Sequence, residues 1–518
     1  MASSPFAHFP GVKYQRQKQP QRHRMDPAIT AVPIEVASSE RTQVSTEPRT
    51  LVLCFDGTSN EYDIENTNVV KLFALLKKND FDQQLCYYQP GVGTWFEPGV
   101  VSPLFHWGAK ILDLALAWYL DAHVMEGYRF LVDNYRQGDK ICVFGFSRGA
   151  YTARALAGFL YKAGLLPRGN QAQVPFAYKL YKREDKEGIK LCNGFKQTYS
   201  QDVKVEFMGV WDTVASVGFV MKRTLPFTNS NMSIKTFRHA LALDERRVKF
   251  HPNYYHRASP SEIAAALDPE HGSYILKSRN ASESSSGTAT PLPPPVSSDD
   301  HDVDNDDRDD RGKWYFFGRI PLKSQRTRVA IAAREAIMSV KNRYVPGAVQ
   351  EKVVQREVDD VLEVWFAGCH SDVGGGSVPN TEKRNLSNIS LRWMVREIVA
   401  SGCGIRFDIE ALAREGIELS VEPTFDQMVL NDMDAVEEIH DELKRRKLWW
   451  ILEVVPMHLS WQDNQGVWRK KHRINRGKGR KILDAQPKLH VSVKKRMRSP
   501  LNYQPKARWT HGSEVYVY

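Results

Sequence analysis

A chain of 518 residues, 42% of them hydrophobic, is long enough for one large α/β core with additions or for two domains. No uninterrupted apolar run reaches membrane-spanning length: the nearest, Ile111 to Leu120, is short, holds Asp113 and reads as a buried helix. Six scattered cysteines without close spacing argue against a zinc site and for a reduced, cytoplasmic protein.

In chain order, residues 1–48 are polar and basic and read as a disordered tail. Residues 1–26 lack an apolar core, so no secretory leader is expected, and their prolines oppose a transit-peptide helix. Thr50 to Phe55 is the first strand, followed by the loop Asp56-Gly-Thr-Ser-Asn60. There Gly57 and Thr58 can bring a backbone amide toward a reacting carbonyl, whereas Asp56 and Asn60 can hold the loop by Asx-type hydrogen bonds. A strand ending in D-x-D-G-T would mark an aspartyl-phosphate phosphatase with magnesium, but Cys54 occupies the nucleophile position and removes that chemistry.

The most informative stretch runs from Lys140 to Leu160, where an apolar run ends in Gly145-Phe-Ser147-Arg-Gly149 and passes into an Ala-rich segment. Strand, sharp turn and helix form the context of a nucleophile elbow, whose glycines let strand and helix approach while the serine is held strained and exposed. Arg148 would then offer its backbone N–H as one half of an oxyanion hole. A Gly-rich helix-capping turn with a structural serine is the plainer alternative.

An elbow serine needs an acid and a base on later strand ends. Val203 to Trp211 has strand character and delivers Asp212, the candidate acid, for which an N-cap is the simpler role. Arg238 to Arg247 reads as helical, which makes His239 a packed or surface histidine rather than a base. Residues of about 278–312 pass from Ser-rich sequence through Pro291-Leu-Pro-Pro-Pro295 to an aspartate cluster and read as a disordered, deletable insertion. That cluster is not an EF-hand, because Asp307 and Lys313 stand where glycine and glutamate are needed. Val361 to Gly368 is another buried strand that releases Cys369-His370-Ser-Asp372-Val-Gly-Gly-Gly376. His370 is the candidate base, with the flexible glycines letting its ring reach another loop; Asp372 competes with Asp212 as the acid but suits a turn cap better.

The net charge of +11 is concentrated late, in Trp468 to Lys481 and Lys494 to Arg498. Solvated surface is the usual explanation; contact with an anionic membrane is the functional reading, and no recognition motif accompanies the charge to suggest nucleic acid.

Six blocks in order, Phe55 to Asn60, Gly91 to Trp95, Gly145 to Ala150, Val210 to Val214, His239 to Arg247 and Trp365 to Gly376, resemble an uncharacterised α/β-hydrolase domain family similar to the catalytic domain of type VI secretion phospholipase effectors. The likeness runs from about Thr50 to about Arg396. It implies a Ser-Asp-His esterase or lipase acting on acyl esters, with phospholipids one such class of substrate. One departure stands out: some effectors place an acid soon after the elbow serine, and this helix offers Ala155, Ala157 and Gly158 there, which favours Asp212.

The resulting expectation is an α/β-hydrolase-like fold: a mainly parallel central sheet with helices on both faces over residues 49–396, plus a C-terminal extension, 397–518, packed on the core. Ser147, Asp212 and His370 would form the triad, with Arg148, Gly57 and Thr58 at the oxyanion, no metal or organic cofactor, and an acyl-ester or lipid substrate. A non-catalytic scaffold that keeps the fold and binds partners through its charged segments is the alternative.

Overall fold

The computed structural model describes residues 48–58, 60–91, 105–214, 225, 233–255, 360–462 and 468–518, with backbone alone for 105–119, 457–462 and 468–473. The sequence's candidate disordered segments, 1–48 but for its last residue and 278–312, lie outside these residues.

Eight parallel strands form the central sheet: β1 (Thr50–Phe55), β2 (Gln84–Gln89), β3 (Lys140–Phe146), β4 (Val205–Trp211), β5 (Ile234–Ala242), β6 (Asp360–Phe366), and β9 (Lys488–His490) with β10 (Val515–Val517). Their spatial order is β10-β9-β6-β5-β4-β3-β1-β2. β7 (Met457–Gln462) and β8 (Trp468–Arg473) make a separate antiparallel pair. The C-terminal extension therefore supplies two strands to the same sheet as the elbow, with β9 pairing directly on β6.

Among the described residues the helices are α1 (Asn68–Leu75), α2 (Phe105–Asn134), α3 (Ser147–Ala163), α4 (Val174–Tyr181), α5 (Lys186–Tyr199), α6 (His370–Gly374), α7 (Ser387–Ser401), α8 (Ile409–Arg414), α9 (Phe425–Asp434), α10 (Glu442–Arg445), α11 (Trp449–Glu453) and α12 (Val491–Arg498). Side chains of a strand alternate between faces, so β1 feeds two cores. Leu51, Leu53 and Phe55 pack with Val124, Leu156, Phe159, Tyr178 and Phe195 of α2 to α5. Val52 and Cys54 pack on the other side with Leu72 of α1 and Trp393 and Met394 of α7. Burial on both faces explains the near-continuous apolar strands. A third cluster joins Leu241, Leu243 and Trp365 to Leu489, Val493 and Trp509 and fastens the C-terminal segment.

Two side chains set helix starts. Thr67 caps α1 by accepting from Val70 N, and Asp185 caps α5 by accepting from Gly188 N. The stretch around His239 departs from expectation: it is strand β5, not helix. Eight of its nine residues are buried, so the period of two is erased and small residues such as Ala240 and Ala242 fit the packed sheet interior.

Ser147, Asp212 and His370 all follow the carboxyl ends of parallel strands, β3, β4 and β6. The chain proceeds from β1 outward to β2 and then returns to β3 on the other side, so the sheet changes direction between β1 and β3. Crevices for ligands open at this kind of switch point. The elbow and the Asp56 loop stand on either side of it.

Candidate active site

The elbow is built by close approach. A Cβ at Gly149 would collide with the carbonyl oxygens of Phe55 and Asp56, and one at Gly145 with the backbone of Gly149 and Ala150. Glycine at both positions lets α3 start directly over the end of β1. Ser147 takes φ of +57°, a left-handed conformation uncommon for a residue with a Cβ, so the strain expected of an elbow serine is present. Its expected exposure is not: only 6% of its surface is accessible, because the turn after β4 closes over it with Val214 N donating to Ser147 O at 3.2 Å.

Asp212, at the end of β4, also has positive φ, +37°. It is fully buried and accepts four hydrogen bonds. His370 Nδ1 donates to Oδ2 at 2.6 Å, Arg480 donates through both terminal nitrogens at 2.6 and 2.8 Å, and Ala242 N donates to Oδ1 at 3.0 Å. Burial alone would push this carboxyl up, but Arg480 and then His370 hold it well below the usual carboxylate range. Asp212 is thus a carboxylate, which fixes the proton of His370 on Nδ1 and leaves Nε2 as the basic atom. The N-cap role is absent; Asp212 ties β5 to His370 and Arg480 instead.

His370 opens α6. Its ring stacks on Phe146, the residue before Ser147, with centroids 4.6 Å apart, and meets Phe250 edge-on at 4.8 Å. Burial lowers its pKa below the ordinary histidine value, partly opposed by the bond to Asp212. A neutral imidazole can act as a general base near neutral pH. No hydrogen bond joins Ser147 to His370 among the described residues; such bonds are commonly loose without substrate.

The triple glycine serves packing rather than the flexibility expected of it. A Cβ at Gly374 would enter the Phe146 ring, and Gly375, at φ +81°, lies against the backbone of Thr67 and Asn68. Asp372 does not compete for His370. Its carboxylate takes Cys369 N at 2.8 Å in a capping box and holds His440 through Nδ1 at 2.7 Å and backbone N at 2.9 Å.

His239 is committed elsewhere. Thr213 N donates to its Nε2 at 3.1 Å, so Nδ1 carries the proton and donates to Glu363 Oε1 at 2.9 Å. Both nitrogens are used, and the ring supports the residue after Asp212 without serving as the base.

At the Asp56 loop, Gly57 N–H is donated to Asp56 Oδ1 at 2.7 Å. This amide, expected at the oxyanion, is engaged by its neighbour's side chain. Asp56 also accepts from Thr67 Oγ1 and Tyr88 Oη, both at 2.8 Å, and burial raises its pKa to about 6. Thr58 Oγ1 is buried with no hydrogen-bond partner among the described residues. Arg148 N lies in the first turn of α3, where N–H groups have no intrahelical acceptor.

Sequence reasoning missed Arg480, which sits inside the late basic run expected to be solvated. It is buried, and besides Asp212 it donates to Ala242 O at 2.9 Å and Phe250 O at 2.6 Å. Backbone pairing brings it in: Arg508 N donates to Arg480 O and Ile482 N to Arg508 O, both at 2.8 Å. Gly479 is needed there, since a Cβ would strike Lys506 O. Arg496, from the second basic run, is also buried and donates to Ala435 O and Glu437 O. The only hint in the sequence is the pair of glycines flanking Lys478, which permits a close approach.

The parallel sheet with helices on both faces and an elbow at its switch point is an α/β-hydrolase-like architecture. Within that class the chain belongs to the family described as T6SS, phospholipase effector Tle1-like, catalytic domain, which it matches over residues 49–397. Among curated proteins it is 29% identical to the uncharacterized protein YEL023C of Saccharomyces cerevisiae, over 89% of this chain and 80% of that one. Two solved structures are similar at low scores. An uncharacterized protein from Pseudomonas aeruginosa has 16% identity and a TM-score of 0.32, covering 75% of this chain and 53% of that one. The Tle1 effector bound to the VgrG spike of the type 6 secretion system has 19% identity and a TM-score of 0.22, covering 40% and 47%. The chain thus spans about half the length of these structures.

Proposed function

We propose that this protein is a serine hydrolase that cleaves acyl esters of lipids, phospholipids among them. Ser147 attacks the ester carbonyl, His370 Nε2 takes the serine proton and returns it to the leaving alcohol, and Asp212 holds the imidazole in the required tautomer. Arg148 N–H is one oxyanion donor, and Thr58, whose buried hydroxyl has no hydrogen-bond partner among the described residues, is the second. The chemistry needs no metal or organic cofactor.

The observation that carries the reading is the 2.6 Å bond from His370 Nδ1 to Asp212, with the His370 ring stacked on Phe146, the residue before a serine in the strained elbow conformation. Family membership supports a lipid substrate. A cytoplasmic location is part of the proposal, and the free state of all six cysteines suits a reducing compartment. Contact between acidic lipids and the run Arg469, Lys470, Lys471 and Arg473 also remains part of it, although those side chains lie outside the described residues.

Labelling with a fluorophosphonate probe tests the chemistry. Wild type should label, and Ser147→Ala and His370→Ala should not. A folded wild-type protein that stays unlabelled would favour the non-catalytic scaffold.

A further inference from the structure

Close to His370 the C-terminal segment carries a run of opposite characters: Lys444-Arg-Arg-Lys447, then Leu448-Trp-Trp-Ile-Leu-Glu-Val-Val455. All four basic residues are exposed. Leu448 is 79% accessible, Ile451 60% and Val454 59%, with Trp450 and Val455 also exposed. Large aliphatic side chains clustered this way on a surface mark an interaction site.

The exposure does not come from a loose end, because the underside of this segment is fastened. Glu453 is fully buried and accepts from Val248 N at 2.6 Å, Asn475 Nδ2 at 2.7 Å and Gly477 N at 3.0 Å. Trp449 stands edge-on to Phe250 at 5.6 Å with the Arg247 guanidinium over its ring at 5.0 Å. Trp450 Nε1 donates to Leu443 O at 3.0 Å. The fold holds the apolar residues outward.

We propose that Lys444–Val455 docks on a lipid surface bearing anionic headgroups. Leu448, Ile451 and Val454 enter the boundary between headgroups and acyl chains, and the basic run lies against the phosphates. Charge decides for this occupant over an apolar protein surface. Of the two carboxylates that precede the four cations, Asp441 is taken by Arg246 at 2.5 Å and Glu442 pairs with Arg446 at 3.2 Å and Arg445 at 3.9 Å, while Lys444 and Lys447 make no ion pair among the described residues. A short apolar face beside clustered Lys and Arg is the composition of an interfacial anchor. No helix among the described residues is long and apolar enough to cross a membrane.

The placement suits a lipid hydrolase. Ring contacts run from Trp449 to Phe250 to His370, so a membrane at this face lies beside the candidate base. The inference rests on the hydrolase reading for its purpose, though binding itself does not require catalysis.

The test uses full-length protein with Ser147→Ala, which removes turnover, and sedimentation with phosphatidylcholine vesicles with or without phosphatidylserine. The parent should bind the anionic vesicles. Combined Leu448→Ser, Ile451→Ser and Val454→Ser should weaken that binding by about ten-fold or more. Combined Lys444→Glu and Lys447→Glu should erase the preference for phosphatidylserine. With Ser147 restored, both sets should leave the unfolding midpoint and hydrolysis of a soluble short-chain ester unchanged. Unchanged vesicle binding in the serine variant overturns the proposal, as does equal loss on the soluble ester. So does light scattering that finds a wild-type dimer made monomeric by the serine changes, which would assign the face to a second copy. Vesicle binding by a wild-type protein that never reacts with a fluorophosphonate would instead remove the catalytic reading and keep the surface.

Discussion

Replacing Arg480 with methionine keeps much of the side chain's length and apolar stem while deleting its charge. The change strips Asp212 of two hydrogen bonds and leaves the carbonyls of Ala242 and Phe250 without this donor. Asp212 would remain fully buried with a negative charge and only His370 and Ala242 N to answer it. Removing one partner of a buried ion pair costs about 3–5 kcal/mol, so a clear fall in the urea midpoint is expected. Activity should respond separately. With its positive neighbour gone, Asp212 attracts the imidazolium form more strongly, so the pKa of His370 rises and the acid limb of the kcat/KM profile moves to higher pH. A displaced His370 would also lower kcat/KM at its plateau, by about 100-fold for a shift on the order of 1 Å. Arg480→Lys is the control: it keeps the charge but loses the bidentate fork, so it should lose stability with a smaller move of the limb. A methionine variant with wild-type stability and an unmoved limb would refute the view that the C-terminal segment completes the site.

In the wild type, kcat/KM should rise with pH as His370 loses its proton, with the half-point below the ordinary histidine pKa of about 6.5; a half-point above it would contradict a buried, neutral base. Since His370 binds protons less readily folded than unfolded, it should also make stability fall as pH drops below about 6.5, measurable as a declining urea midpoint. Gly149→Ala should force α3 away from β1, costing about 1–3 kcal/mol and most activity; near-normal unfolding and turnover would argue against the elbow's close approach. His239→Asn should retain fluorophosphonate labelling at reduced stability, whereas His370→Ala should abolish it, and the reverse pattern would exchange their roles. Asp212→Asn should lower turnover no more than Ser147→Ala does, as read by ester hydrolysis at the pH plateau.

The sequence by itself determined the elements whose signals are local. The strand Thr50–Phe55 is written in a short buried apolar run, and the elbow in a strand, two glycines and an Ala-rich helix, because close backbone approach admits no Cβ at Gly145 and Gly149. Asp212 and His370 could be nominated because each follows such a run. What decides their chemistry is non-local. Only the tertiary structure brings β4 and β6 to either side of β5, pairs His370 with Asp212 across 158 residues, and turns β5 from an apparent helix into a strand buried on both faces. It also decides that Gly57 N–H belongs to Asp56 and that Asp372 belongs to His440. Arg480 shows the limit most clearly. In sequence it is one cation in a basic run, and nothing local separates it from exposed Lys478. A buried guanidinium needs acceptors, and the carboxylate that serves Arg480, Asp212, is 268 residues away, so only the folded backbone of Arg480 to Arg508 decides which charge enters the site.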